Sequence, residues 1–189
     1  MKKTLIASAL LTLVGLSPAV AQHHGHGHSH GHSHAHAQAA AHSHHSPYSG
    51  MQTREIKALS AQQMEGLKAG KGMAMAMPAE LNGYPGPLHV LELAAQIGLT
   101  PEQEAETKKL YAQMQAAAQA QGEQVIAAER ALDALFAQKK ATAESVAAAV
   151  AAAANAHGQL RATHLRYHLS MVDVLTPEQV AAYNQLRGY

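Results

Sequence analysis

The chain has 189 residues, about the length of one domain, with no Cys, no Trp, one Phe, fifteen His and eight Met. The lack of Cys excludes a disulfide framework, a thiol nucleophile and a Cys-liganded zinc finger. The formal charge of +1 gives no basic excess that would indicate nucleic acid as a partner. Leu, Ile, Val, Met and Phe make up roughly a fifth of residues 22–189, which predicts thin helical layers rather than a thick core.

Residues 1–21 have the pattern of a secretory signal peptide. A basic start, Lys2-Lys3, precedes a mostly apolar run over Thr4 to Leu16, and Ala19-Val20-Ala21 is a typical cleavage site. Because the run is shorter than the ~20 residues of a membrane-spanning helix, we predict cleavage and no stable membrane span afterwards. The short apolar run and the A-x-A site are typical of bacterial export, which predicts a location in the periplasm.

Residues 22–50 are predicted to form a disordered, His-rich tail that binds metal. Within residues 22–46, eleven of 25 residues are His, separated by Gly, Ser and Ala without apolar anchors. Neutral imidazole suits zinc, nickel and copper(II), and a flexible chain can supply about four ligands to an ion. The alternatives are a low-complexity tail without a role or an added tag. The candidate ligands are His23, His24, His26, His28, His30, His32, His34, His36, His42, His44 and His45.

The segment 51–87 is predicted to contain short helices and a Gly/Pro connector. Ser60 begins a capping-box pattern for a helix over about 61–69. A second short helix is expected over 72–81, and residues 82–87 form a turn-rich connector.

Three methionines alternate with alanine at Met73, Met75 and Met77. Thioethers are soft ligands, so the pattern resembles a copper(I) motif. Methionine is also a pliable apolar residue, and we favour packing or contact with a client protein for this run.

His89 is a further imidazole that carries little information alone.

Residues 88–189 are predicted to form a domain of four helices. Their expected ranges are 88–97, 101–138, 143–174 and 177–186. Apolar residues recur at spacings of three and four along both long segments, as on one face of a helix. The corner between these segments predicts an antiparallel helical hairpin.

The string LTPEQ occurs twice, at 99–103 and at 175–179, each time at a predicted helix start. In each copy the Leu can pack onto the helix, the Thr hydroxyl can cap it, and the Gln can return a hydrogen bond to the cap. One copy indicates only a helix start. Two identical copies in an exported, helical, Cys-free chain are a far more specific marker of a protein family.

On these motifs, the chain resembles the Spy/CpxP family of bacterial periplasmic proteins, which carry paired L-T-x-x-Q motifs. The resemblance covers about residues 88–187, and residues 47–87 resemble the extended N-terminal part of a subset. It implies an all-α fold, namely an elongated four-helix hairpin, often paired as an antiparallel homodimer. It also implies structural rather than catalytic roles for Leu99, Thr100, Gln103, Leu175, Thr176 and Gln179.

Members of this family act as ATP-independent chaperones, as envelope-stress regulators, or as proteins that bind or sense zinc, nickel and cobalt. The resemblance alone does not choose between these functions. The long His tail of this chain is a departure from the family pattern and favours the metal-handling branch.

The third predicted helix carries candidate metal ligands on the stripe that faces another helix. These candidates are His157, His164, His168 and Met171. His164 and His168 are one turn apart, so two imidazoles could share an ion. A hairpin would set Met114 beside them and Glu123 or Gln124 beside His157. The alternative, which we favour, is that these histidines are packing or pH-sensing residues.

The sequence shows no H-E-x-x-H, no G-x-S-x-G and no phosphate-binding Gly loop, so we expect no enzyme. The expected function is periplasmic metal binding, which buffers or senses a divalent ion in envelope metal tolerance, with zinc first and nickel or copper as alternatives. The alternative function is an ATP-independent chaperone (holdase) or an envelope-stress regulator. Expected partners are metal ions, unfolded periplasmic proteins or a sensor kinase, and not nucleic acid.

Overall fold

The structure, a computed structural model, describes residues 46–189. The predicted signal peptide and residues 22–45 of the predicted tail lie outside the described residues. Within 46–189 the fold is all α, with one 3₁₀ turn at Met51–Thr53 and no strand. The helices are α1 (Ala61–Lys68), α2 (Met77–Glu80), α3 (Pro87–Glu92), α4 (Pro101–Ala137), α5 (Ala143–Val174) and α6 (Pro177–Arg187).

The four helices that begin with a capping box start at the predicted residues. They are α1, α4, α5 and α6. Each starts with a Ser or Thr whose hydroxyl accepts from the backbone N–H three residues later. The side chain at that third position returns a hydrogen bond to the cap, which completes a capping box. These helix starts therefore depend on local sequence alone.

Two short helices differ from the prediction. The expected helix over 72–81 shrinks to α2 because Met73 and Ala74 have φ of 42° and 63°, which a right-handed helix excludes. The helix expected over 88–97 ends at Glu92, because Leu93 leaves helical geometry with φ −105° and ψ 10°. Turns replace the first part of the helix expected over 72–81 and the last part of the helix expected over 88–97.

Helices α4 and α5 form the predicted antiparallel hairpin, and two apolar clusters lie along it. One cluster packs α1 and the preceding segment against the hairpin, and consists of Ile56, Leu59, Leu67, Ala118, Val125, Ile126, Ala156 and Leu160. The other packs α3 and α6 against the hairpin, and consists of Val90, Ile97, Met171, Leu175 and Tyr183. At the first cluster α1 approaches α4 so closely that a Cβ on Gly122 would meet the carbonyl of Leu67.

The two LTPEQ motifs hydrogen-bond to each other through their glutamines. Gln103 Nε2 donates to Gln179 Oε1 at 2.8 Å, and Gln179 Nε2 donates to Gln103 Oε1 at 2.9 Å. Each amide nitrogen also donates to a main-chain carbonyl next to the other motif. Gln103 Nε2 donates to Val174 at 2.9 Å, and Gln179 Nε2 donates to Gly98 at 3.0 Å. The start of α4 is thereby fixed to the start of α6.

Among the helices of residues 46–189, none combines the length and the hydropathy needed to cross a bilayer.

Changing Gln103 or Gln179 to Ala should lower the free energy of unfolding by about 2–3 kcal/mol, because each change removes a cap and leaves the facing amide unpaired. The double variant should lose less than the sum of the two, since either change breaks the shared hydrogen bonds. Urea unfolding followed by circular dichroism measures both quantities.

Gln63→Ala is the matched control for the Gln103 and Gln179 variants. Gln63 makes the same reciprocal capping bonds with Ser60, but they stay within one helix start. Its loss should be about 1 kcal/mol. Strict additivity of the Gln103 and Gln179 changes would contradict the pairing.

Candidate metal-binding pocket

A pocket of about 390 Å³ lies where α2 and α3 meet the long hairpin. Along α5 its residues fall between Leu160 of the first apolar cluster and Met171 of the second. The lining includes three imidazoles, one carboxylate and three thioethers, from His89, His164, His168, Glu80, Met73, Met77 and Met114. These are ligand types that transition metals use.

Glu80 is a buried carboxylate that joins four helices. Its Oε1 accepts a hydrogen bond from the Tyr183 hydroxyl, and lies 3.3 Å from His89 Nδ1 and 3.4 Å from Arg187 Nε. Its Oε2 lies 3.6 Å from His168 Nδ1 and has no hydrogen-bond partner in the part of the chain that the structure describes. Burial, together with the bond to Glu80, raises the pKa of Tyr183, so the phenol remains a donor. The carboxylate thus holds α2 against α3, α5 and α6.

His168 is held in one orientation by a main-chain carbonyl. Its Nδ1 donates to the carbonyl oxygen of Tyr84 at 2.7 Å, which assigns the proton of the neutral ring to Nδ1. Nε2 then carries the lone pair. Gly86 gives the ring space, since a Cβ there would lie 2.8 Å from Cε1. Metal-binding histidines are oriented by the same kind of hydrogen bond from the other ring nitrogen.

His164 is 2% exposed, and its Nε2 has no hydrogen-bond partner among residues 46–189. Burial, and secondarily the neighbouring His168, lower the pKa of His164, so its ring is neutral at neutral pH. A buried polar atom without a partner is uncommon in a folded protein and calls for an explanation. In this pocket, His164 is a neutral imidazole with an unused nitrogen.

The structure brings His164, His168 and Met114 to one pocket, as the hairpin register predicted. It does not add the other two candidates of α5. Met171 is fully buried in the second apolar cluster, and His157 lies on the surface, where its Nε2 is 2.9 Å from Glu129 Oε1. The eleven tail histidines, His23 to His45, lie outside the described residues.

The expected partner of His157, Glu123 or Gln124, was wrong because side chains lean toward the start of their own helix. In α5 this lean carries the His157 ring toward the hairpin corner. In α4 it carries the Glu129 carboxylate away from the corner. The imidazole and the carboxylate therefore meet, although the backbone of Glu129 lies nearer the corner than the backbone of His157 does.

Within residues 46–189, no three His, Asp or Glu side chains are grouped closely enough to hold a metal ion. The pair of His164 and His168 therefore needs a ligand of another type. The thioethers that line the same pocket are such ligands.

Sequence reasoning did not identify Glu80 as a candidate residue. One signal was present, because Glu80 is the only Asp, Glu, Lys or Arg between Lys71 and Glu92. A lone carboxylate in an apolar stretch is a candidate for burial. Its partner Tyr183 is 103 residues away, and no local pattern indicates that contact.

The comparisons with known proteins gave one match. A family model described as LTXXQ motif family protein matches residues 88–187, a span that includes both LTPEQ strings. No curated protein and no solved structure matches the chain.

The stability of the fold should depend on pH through His164. Because the pKa of His164 is lowered in the folded state, the unfolded chain binds the proton first as the pH falls. The free energy of unfolding should therefore fall as the pH drops below about 6.5, and His164→Gln should remove this part of the slope. Urea unfolding between about pH 7.5 and pH 5 measures the slope.

Thr163→Ser is the control, since Thr163 is a buried neighbour that does not titrate. It should shift the stability curve equally at every pH and leave the slope unchanged. An identical slope for the parent chain and His164→Gln would show that His164 does not carry the effect.

Proposed function

This chain belongs to the LTXXQ motif family, the Spy/CpxP-type family, and on that premise we propose that it is an exported protein that binds metal ions outside the cytoplasm. Its role is to buffer or sense zinc, with nickel or copper as alternatives, in envelope metal tolerance. It acts by binding and not by catalysis. The compartment we propose is the periplasm, from the signal-peptide pattern of residues 1–21.

The observation that carries this proposal is the density of imidazole in residues 22–46, where eleven of 25 residues are His. Neutral imidazole binds zinc, nickel and copper(II), so ions can be held by several alternative combinations of these ligands. Ordering a segment rich in Gly and Ser around an ion costs conformational entropy, which makes each site weaker than a preformed one. Many weak and exchangeable sites suit a buffer.

The described domain supports the proposal with a second set of imidazoles. His164 and His168 are both buried at one pocket, and Nε2 of His164 lacks a hydrogen-bond partner. Metal bound by these two imidazoles would act directly on the packed part of the domain. Through such a response, it would signal to a sensor kinase, the partner we propose for the sensing role.

A second candidate function, that of a holdase, is favoured by apolar side chains exposed on the hairpin. On α5, Leu169 is 57% exposed and Val172 is 41% exposed, one turn apart along the helix. Exposed apolar patches often mark contacts with other chains. An unfolded client, or a second copy in an antiparallel homodimer, would cover them.

Removal of residues 22–46 should reduce the uptake of zinc, nickel and copper(II) from roughly three ions per chain to one or none. A full-length variant with all eleven tail histidines changed to Asn is the matched control, because it keeps the tail and removes only the ligands. It should lose uptake to the same extent. Isothermal titration calorimetry gives the stoichiometry, and uptake equal to that of the intact chain would disprove capture by the tail.

The holdase candidate predicts that the intact chain suppresses the aggregation of a chemically denatured client at equal molar ratio. Leu169→Gln together with Val172→Thr should weaken suppression, since both changes remove exposed apolar surface from α5. Phe136→Gln is the control, because Phe136 is equally exposed but lies at the far end of α4. Light scattering measures aggregation, and a chain that suppresses none is not a holdase.

A further inference from the structure

We propose that the pocket between α2, α3 and the hairpin is a soft-metal site that takes monovalent copper through the Nε2 atoms of His164 and His168 and the thioether of Met114. This inference deepens the proposed function, since it names the ligand set at His164 and His168 and the oxidation state of the ion that they take. It would stand even if the tail bound nothing.

The geometry supplies two preformed imidazole ligands. His164 and His168 are one turn apart on the same side of α5, and both are more than nine-tenths buried. Nε2 of His164 is an enclosed nitrogen without a hydrogen-bond partner. Nε2 of His168 carries the lone pair, because Nδ1 donates to the carbonyl of Tyr84. Each ring therefore offers a nitrogen that the protein itself does not use.

The third ligand decides the class of ion. No third His, Asp or Glu groups with the pair within the described residues. Oε1 of Glu80 accepts from the Tyr183 hydroxyl, and Oε2 lies 3.6 Å from Nδ1 of His168, the nitrogen that donates to Tyr84. Zinc prefers four nitrogen, oxygen or thiolate ligands. Three thioethers also line this pocket, and because they are soft ligands they favour copper(I) over zinc.

Charge and burial favour the same ion. Taking a cation out of water into a buried pocket costs desolvation energy that rises steeply with its charge. A monovalent ion therefore enters at a lower cost than a divalent one. Oε2 of Glu80 has no hydrogen-bond partner and faces His168, so a carboxylate oxygen lies near the site to balance a single positive charge.

The three methionines of the lining differ in exposure, which gives them different roles. Met114 projects from α4 and is 9% exposed, so it is the buried ligand. Met73 and Met77 also line the pocket but are 42% and 51% exposed, so neither is the buried ligand. Met171, although it lies on the same stripe of α5, is enclosed in the second apolar cluster and does not line the pocket.

The decisive experiment observes the methionine methyl groups of the full chain by NMR during a titration with copper(I), kept reduced by ascorbate without oxygen. Residues 22–46 contain no Met, so tail-bound copper gives no direct methionine signal. The Met114 methyl resonance should shift, and that of Met171 should stay in place. The full-length His→Asn tail variant should show the same shift at a lower copper concentration.

Substitutions then test the ligands through the affinity for copper(I), measured by competition with bicinchoninate in the tail variant. Met114→Leu keeps the volume of the side chain and should lower the affinity about tenfold or more, at least as much as the loss of an outer-shell partner. His164→Asn and His168→Asn should lower it to a similar extent. Met64→Leu is the control, since Met64 packs against the first apolar cluster and does not line the pocket.

Two results would overturn the proposal. One is a Met114 methyl resonance that copper(I) leaves in place. The other is an equal shift with zinc, which would show that the site is not selective for soft ions. If the His variants fail to fold, as judged by circular dichroism, Met114→Leu still decides. Failure of the tail proposal appears separately, as unchanged uptake of divalent ions when the tail histidines are replaced.

Discussion

The pair of hydrogen bonds between Gln103 and Gln179 is the constraint on which the rest of this structure depends. Each amide is used fully, because its oxygen caps its own helix and its nitrogen reaches both the other amide and a carbonyl. Only a side chain with both a donor and an acceptor can do this, which excludes glutamate in either place. The motif therefore requires Gln at both positions for a reason of chemistry.

The position of α6 that follows from this pairing determines the interior of the pocket. Tyr183 and Arg187 project from α6 and reach Glu80 on α2, which in turn contacts His89 of α3 and His168 of α5. A buried carboxylate is costly unless it is hydrogen-bonded and paired, so the location of α2 depends on α6. The pocket is thus assembled by polar contacts over a long separation in sequence, while the two apolar clusters close the hairpin on either side of it.

The sequence predicted the parts of the fold that local chemistry decides. Ser60, Thr100, Thr142 and Thr176 begin helices at the expected places, and the hairpin register correctly set Met114 beside His164 and His168. It did not predict the break at Met73 and Ala74, whose left-handed conformations no residue type there indicates. It also missed Glu80, because burial of a carboxylate depends on partners in three other helices. The histidines of the tail remain a prediction.

Family membership does not by itself determine what the pocket binds. The family match covers residues 88–187 and so includes Met114, His164 and His168, but Glu80, Met73 and Met77 come from the segment before it. Without that segment, the two imidazoles of α5 would lose the lining that encloses them, and they would then be exposed to water. A chain with the same paired glutamines and a different preceding segment would keep the hairpin and lose the pocket. The hairpin thus supplies Met114, His164 and His168, and the segment 51–87 supplies Glu80, Met73 and Met77, which enclose them.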